Sequence, residues 1–563
     1  MPKRLAITIA GAVSLGSYEA GVLYEVLDAI HQHNHVPGTP DEELIKIDVL
    51  TGASSGGMTA AIMAHKMLYA ADEFRDPYDN PLYNVWVKRV DLAGLVATEN
   101  EDTGEVEPPM RSIFSSNLVE EVLAEFLTDR YLGGSWPKAV THSASASSIS
   151  LGLTLTNLNG VNYAYEMQPS GRFTYTRHDD QLKRVLTATG TDNKETWEEI
   201  RSAAVASGAF PMAFRAKELE RKRADYTREN LEAWPSDPMR FTYTDGAVLQ
   251  SEPLAMAKRL VNAIDGHWNN NSRFYLFVTP HGKSSSADSS FQAESAEYLN
   301  MAKRLAKVIL TQSEFEDWIK AEEMNQLIAL QDARARDLAE SLRNGASDAA
   351  AILRSSEELL QVLFKKPASG GTRRVAEIGA ETLDEARRRI EHQYAEEIVS
   401  LGAGSEQAKA FRDTVLSFEK AANLGEKDYM RIYGMTVSED QLAGAELTAF
   451  LGFFDERYRQ HDYDRGRLVA RAVLNDPVLN QPGELGPVRY TPTRTNAMDK
   501  SLDGMLLSTV PEGDQEVFRE GIKRRVRAMV RELIGMWSYA ADIAVIDPLM
   551  NAILDQVFES PKD

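Results

Sequence analysis

Apolar residues alternate with polar ones in short runs through the first half of the chain, and between those runs the spacing turns helical. Leu5, Ile7 and Ile9 predict a strand. After the loop Gly11 to Ser17, Val22, Leu23, Val26, Leu27 and Ile30 recur at the spacing of one helix face. The same unit follows at once: Ile45, Ile47 and Val49 read as a strand, Gly52 to Gly57 as a tight turn, and Met58 to Leu68 as a helix rich in small residues. Two consecutive strand-loop-helix units predict a parallel sheet. Further on, Ile149, Leu151, Leu153 and Leu155 alternate, Asn159-Gly160 carries the signature of a hairpin turn, and Tyr163 and Tyr165 resume the alternation. Phe241 to Thr244 and Phe274 to Thr279 predict two more strands, separated by a helix over Pro253 to Ile264.

The texture changes at the polar run Ser284 to Ser290, which reads as a linker. Beyond it, strand signals almost vanish and Ala, Leu, Glu, Gln, Lys and Arg dominate, which predicts helices. The expected organisation is an α/β domain over residues 1–283, with the acidic stretch 98–109 as a surface loop, and a mainly helical extension over 284–563 that packs on it or docks a partner or activator.

Composition narrows the function. Among 563 residues, 62 Lys and Arg face 84 Asp and Glu, a net charge of −22, which argues against a nucleic-acid partner. There is no cysteine, so disulfides, thiolate metal sites and a cysteine nucleophile are excluded. No run approaches the roughly 18 apolar residues of a spanning helix. Lys3 and Arg4 ahead of Leu5 to Leu15 have the order of a signal peptide, but the alternation favours a strand running into a glycine loop. The expected location is the cytoplasm, with peripheral membrane contact as the closest approach to a bilayer.

Gly52-Ala53-Ser54-Ser55-Gly56 is the single GxSxG of the chain, placed between a predicted strand and a helix. A sharp turn there exposes the serine hydroxyl, and flanking glycines admit close backbone approach, so Ser54 is the candidate nucleophile. Gly11-Ala12-Val13-Ser14-Leu15-Gly16 fills the first strand-to-helix loop, where backbone N–H groups can face a developing oxyanion. Asp245-Gly246-Ala247 follows the strand ending at Thr244, and a carboxylate at a strand end is placed to reach a site at the sheet edge.

Taken in order, the glycine loop, the GxSxG, Ala206-Ser207-Gly208-Ala209-Phe210-Pro211 and the late Asp-Gly-Ala resemble the patatin-like phospholipase family, over about residues 4–280. The resemblance implies a three-layer α/β/α sandwich with a mostly parallel sheet and lipid acyl hydrolysis of phospholipids or lysophospholipids through an acyl-enzyme. It implies a dyad in which Ser54 attacks and Asp245 is the general base, no cofactor, and an oxyanion hole from the amides of Gly11, Ala12 and Val13, with Gly16, Gly52, Gly56 and Gly246 supporting the motifs. The loop departs from the family's Gly-Gly-Gly-x-Arg/Lys-Gly at Ala12, Val13 and Leu15, and Ala247 replaces a glycine.

Two alternatives stand beside it. Ser54, Asp245 and His281 occur in the order of an α/β-hydrolase triad, and the helical half could be an interaction module on an inactive α/β relic. Elsewhere, His31, His33 and His35 read as a solvated loop rather than a metal site, since no carboxylate or cysteine frame completes them, and Asp72, Glu73, Asp76 and Asp79 read as surface acids rather than a calcium loop. Ile522, Val526, Met529, Val530, Leu533 and Trp537 form an apolar stripe flanked by Lys523, Arg524, Arg525, Arg527 and Arg531, expected to pack on the helical region, with a membrane surface as the alternative.

Overall fold

The computed structural model describes residues 1–97, 111–129, 140–167, 171–188, 194–226, 231–232, 234–265, 272–280, 301, 316–364, 382–422 and 429–534. The acidic loop 98–109, His281, the Ser284 to Ser290 run and Trp537 lie outside them.

One mixed eight-stranded sheet organises the molecule. It is built from β1 (Lys3–Ile9), β2 (Ile45–Gly52), β3 (Ser145–Met167), β4 (Gly171–Thr187), β5 (Lys217–Arg221), β6 (Met239–Asp245), β7 (Arg273–Val278) and β8 (Ile432–Met435). The order is β5-β6-β3-β2-β1-β7-β8, with β4 on β3 off this path. The pairings β3-β2, β2-β1, β1-β7 and β7-β8 are parallel, and those of β4, β5 and β6 are antiparallel.

Helices cover both faces because the central strands are apolar on both. Leu5, Ile7 and Ile9 join a core with α1 (Gly16–Asn34), α2 (Ser55–Tyr69) and α4 (Lys194–Ser207), beside which α3 (Ser116–Leu127) also packs. Ala6, Val49 and Tyr275 point the other way, into a second cluster with Leu254, Ala257 and Val261 of α5 (Leu254–Asp265). The alternation of one strand thus feeds two layers, which gives the α/β/α sandwich.

Two expectations need correction. Asn159-Gly160 is not a hairpin turn, since β3 runs through it. The Asn157 side-chain oxygen accepts the N–H groups of Asn159 and Gly160, both at 2.9 Å, and folds the extra residues into a bulge with Gly160 at φ +76°. Nor does the sheet end with residue 283. Its edge strand β8 comes from the helical half, and Tyr275 to Val278 of β7 pair with Ile432 to Met435.

Among its described residues that half is mainly helical, as expected: α6 (Glu316–Arg343), α7 (Ala349–Leu363), α8 (Leu383–Gln393), α9 (Glu406–Ala421), α10 (Glu456–Leu474) and α11 (Glu512–Ile534). Helix α10 lies against α1, where Arg467 and Arg471 both donate to the buried Glu25 carboxylate, at 3.0 and 2.7 Å. In α11, Ile522 is buried and the Arg525 guanidinium, also buried, donates to the carbonyls of Ala97 and Phe114, so part of the basic helix faces protein. His31 and His33 belong to the last turn of α1 rather than a solvated loop. His33 is buried between the Glu43 carbonyl and the Arg489 N–H.

Candidate active site

Strand β2 delivers its chain into α2 through a single residue in a conformation that L side chains rarely adopt. Ser54 has φ 53° and ψ −127°, and α2 begins at the next residue. Such strain persists only where the surroundings impose it, and here the imposing contacts are identifiable. The Ser54 N–H donates to Ser207 Oγ at 3.1 Å, and the Ala53 N–H to the Ile9 carbonyl at 3.2 Å. A β-carbon on Gly56 would lie 2.2 Å from the Ala10 carbonyl oxygen, and one on Gly52 would lie 2.2 Å from the Gly56 oxygen, so both glycines let α2 start against β1.

Asp245 arrives from the end of β6. The Ser54 hydroxyl donates to its Oδ2 at 2.6 Å, and the Ala247 N–H donates to its Oδ1 at 2.7 Å. The two groups that the sequence separates by most of the α/β half are therefore in direct contact, with Asp245 fully buried and Ser54 nearly so. Burial pushes the Asp245 carboxyl up from its ordinary 3.8 to about 7, against the opposing pull of the hydrogen bonds from Ser54 and Ala247. Gly246 admits β3 closely, since its β-carbon would lie 2.2 Å from the Thr154 carbonyl oxygen.

Ala206 to Pro211 ties Ser54 and Asp245 together. Besides Ser207 Oγ on Ser54, the Ser207 carbonyl accepts the Gly246 N–H at 3.1 Å, and the Ala209 carbonyl accepts the Asp245 N–H at 2.9 Å. The sequence motif marked this segment without assigning Ser207 a task; its position in the quoted run was the available signal. Ser207→Ala leaves the buried Ser54 N–H without its acceptor. The expected loss is about 1–3 kcal/mol of unfolding free energy, measurable by urea titration.

The first loop differs from its expected part at two of three amides. The Gly11 N–H donates to the Ser251 carbonyl at 3.2 Å, and the Ala12 N–H to Ser55 Oγ at 2.8 Å, so neither is free to face an oxyanion in this state. Among the described residues the Val13 N–H has no protein acceptor. Val13 takes φ 52°, the strained region that a glycine would occupy without cost. Leu15, at the position of the family's basic residue, is buried in the core, where a charge would be desolvated. Gly16 makes room for the Trp86 indole, whose ring atoms would lie 2.7 Å from a β-carbon there. Helix α2 starts at Ser55, so its positive dipole end lies beside Ser54.

An apolar cleft opens on Ser54. It is lined by Val13, Met58, Val85, Trp86, Val90, Val119, Val122, Leu123, Phe210, Phe214 and Phe453, with Ser55 and Gly208. A nucleophile at the edge of such a surface can accept a long apolar group beside a reacting carbonyl. Among the described residues no group of three or more His, Asp or Glu side chains could hold a metal ion, and no helix is long and apolar enough to cross a membrane.

Residues 7–258 match the family model of patatin-like phospholipases. Over this stretch the chain is similar to patatin-like phospholipases. The match ends where α5 is under way, so β7, β8 and the helical half lie beyond it. The chain is also similar to curated proteins whose names assign no activity. An uncharacterized protein of Sinorhizobium fredii is 25% identical over 326 residues, covering 45% of each chain. An uncharacterized membrane protein of Mycobacterium tuberculosis is 24% identical over 286 residues, covering 45% of this chain and 25% of its own. The chain thus spans less than half the length of the curated relatives it matches.

Proposed function

We propose that the protein is a serine acyl hydrolase that cleaves the carboxylic ester of phospholipids or lysophospholipids by a Ser54/Asp245 dyad. The observation that carries the reading is the 2.6 Å contact between Ser54 Oγ and Asp245 Oδ2 at the mouth of an apolar cleft. As Ser54 attacks the ester carbonyl, its proton passes to Asp245 and the carbonyl oxygen becomes an oxyanion. Collapse expels the alcohol, which takes the proton back, and leaves an acyl-serine. Water then repeats the cycle with Asp245 as base, releasing the fatty acid.

An ordinary aspartate is a poor base for a serine hydroxyl. The buried environment that lifts Asp245 to about 7 brings its proton affinity toward the value at which a base is both ionised and effective near neutrality. The oxyanion is met by the Val13 N–H and by the N-terminal end of α2. The amides of Gly11 and Ala12 brace the loop instead, through Ser251 and Ser55.

Direct contact also favours a dyad over a triad. In a triad the imidazole stands between carboxylate and serine, whereas here one Asp245 oxygen holds Ser54 and the other holds the Ala247 N–H. The test is fatty-acid release from phosphatidylcholine and lysophosphatidylcholine vesicles by wild type beside Ser54→Ala and His281→Ala. The expected result is loss of about 10⁴-fold or more in Ser54→Ala with most activity kept in His281→Ala. Equal release by Ser54→Ala would defeat the proposal, and loss of turnover in a folded His281→Ala would replace the dyad by the triad.

A further inference from the structure

Among the described residues, every wall of the cleft but one lies in the patatin-like stretch; the exception is Phe453, from the helical half. Its segment, Leu451–Phe454, is held by a set of contacts with no slack. Arg459, buried on α10, donates to the Gly452 and Phe453 carbonyls at 3.0 and 3.2 Å while its Nε donates to the Val87 carbonyl at 3.0 Å. Val87 lies in the stretch Asn84–Arg89 that supplies the cleft residues Val85 and Trp86, so one guanidinium joins two walls.

On the other side, the Ser14 hydroxyl of the oxyanion loop donates to the Ala449 carbonyl, and Ala449 is held at φ 63°. Gly452 fits against the same serine: a β-carbon there would lie 2.6 Å from Ser14 Oγ. The neighbouring Phe450 ring stacks on Phe114 with centroids 5.4 Å apart. It meets Phe210 and Phe453 edge-on at 5.9 and 5.8 Å. Backbone hydrogen bonds to a buried guanidinium, a hydroxyl anchor and three aromatic contacts make this a fixed wall rather than a loose cover.

We infer that Phe453 is the specificity-determining residue for the acyl chain: its ring limits the length of chain that the cleft accepts when the carbonyl sits at Ser54. The inference rests on reading the site as an acyl hydrolase. An aromatic ring on a rigid mount excludes the methylenes that would otherwise occupy its volume. Each methylene that gains a buried place is worth up to about fourfold in kcat/KM.

The full-length wild type, Phe453→Ala, Phe453→Leu and Phe453→Trp would be compared on p-nitrophenyl esters from butanoate to hexadecanoate. In parallel, the rates of Ser54 labelling by short-alkyl and long-alkyl fluorophosphonates would be measured. Phe453→Ala is expected to raise the long-to-short ratio of kcat/KM by about tenfold or more, with Phe453→Leu intermediate and Phe453→Trp shifted the opposite way. The labelling rates should follow the same order. Ratios that stay at the wild-type value in all three variants, whatever their overall rates, would overturn the inference. Wild type that is labelled at Ser54 yet hydrolyses no ester would remove the acyl-hydrolase reading while leaving the labelling ratios to decide the role of Phe453. No labelling at any chain length would overturn both.

Discussion

Asp245→Asn is expected to give a folded, more stable protein whose ester hydrolysis is reduced by about 10²–10⁴-fold. The substitution keeps the shape of the site, because an amide oxygen can still accept the Ala247 N–H and the amide nitrogen can face Ser54. What it removes is the ability to take the serine proton. The gain in stability follows from the same burial that tunes the base. The folded-state value of about 7 lies above the ordinary 3.8, so the native protein holds this proton more tightly than the unfolded chain does. The stabilisation from that proton is complete below about pH 4 and is lost as pH rises through about 7, where the carboxylate ionises inside the protein. Three units correspond to about 4 kcal/mol as an upper bound, and the asparagine avoids that loss. Urea unfolding of both proteins at pH 5 and pH 8 checks it: the variant's advantage should be larger at pH 8. In the wild type, kcat/KM should rise with pH and level off with a midpoint near 7, since only the ionised carboxylate is a base. A flat profile between pH 5 and 9 would remove Asp245 from that role.

The second large effect concerns the contact between the two halves of the chain. Gly466→Ala in α10 replaces a poor helix former by the best one, which in isolation favours the helix by about 1 kcal/mol. The sign is expected to reverse in the protein. A β-carbon on Gly466 would lie 2.1 Å from the Tyr18 carbonyl oxygen of α1, and one on Gly21 would lie 1.9 Å from the Tyr463 carbonyl oxygen of α10. The helices cross backbone against backbone at these two glycines, and backbone atoms cannot turn aside. We expect a net loss of about 1–3 kcal/mol from overpacking. Gly513→Ala in α11, where no described residue lies within 4 Å of the added β-carbon, is the control and should be neutral or slightly stabilising. Activity should fall with Gly466→Ala as well. Helix α1 continues from the Gly11 to Leu15 loop beside Ser54, and α10 carries the Arg459 that fixes Phe453. Thermal melts and ester turnover measured on the same samples would separate the two effects.

Much of the patatin-like half is legible because its signals are local. The alternation of Leu5, Ile7 and Ile9, the helical spacing after Gly16, and the GxSxG at a strand-to-helix turn each depend on residues within one element. All three are found in place. Strands β4 and β5 escape that reading because they are largely polar, with β4 exposed along much of its length, and exist through pairing with β3 and β6. Strand β8 escapes it because four residues, Ile432 to Met435, are too short a run to distinguish from a loop until β7 lies beside them. The Asn159-Gly160 signal was misleading for a related reason: the side chain of Asn157 satisfies the local amides, and the long ladder with β4 on either side outweighs the turn preference.

The sequence by itself determined the chemistry available here: a serine held at a glycine-flanked turn, an aspartate at a strand end, no thiol anywhere, and a glycine-bearing loop beside a helix start. Those follow from residue identity and short-range geometry. Only the tertiary structure decided that Ser54 and Asp245 touch at 2.6 Å, and that Ser207 and Ser55 consume amides at either side of the site. It likewise decided that the cleft takes a wall from Phe453. These depend on contacts between residues far apart in the chain, which no local pattern records, because close packing brings them together only after every element has found its neighbours.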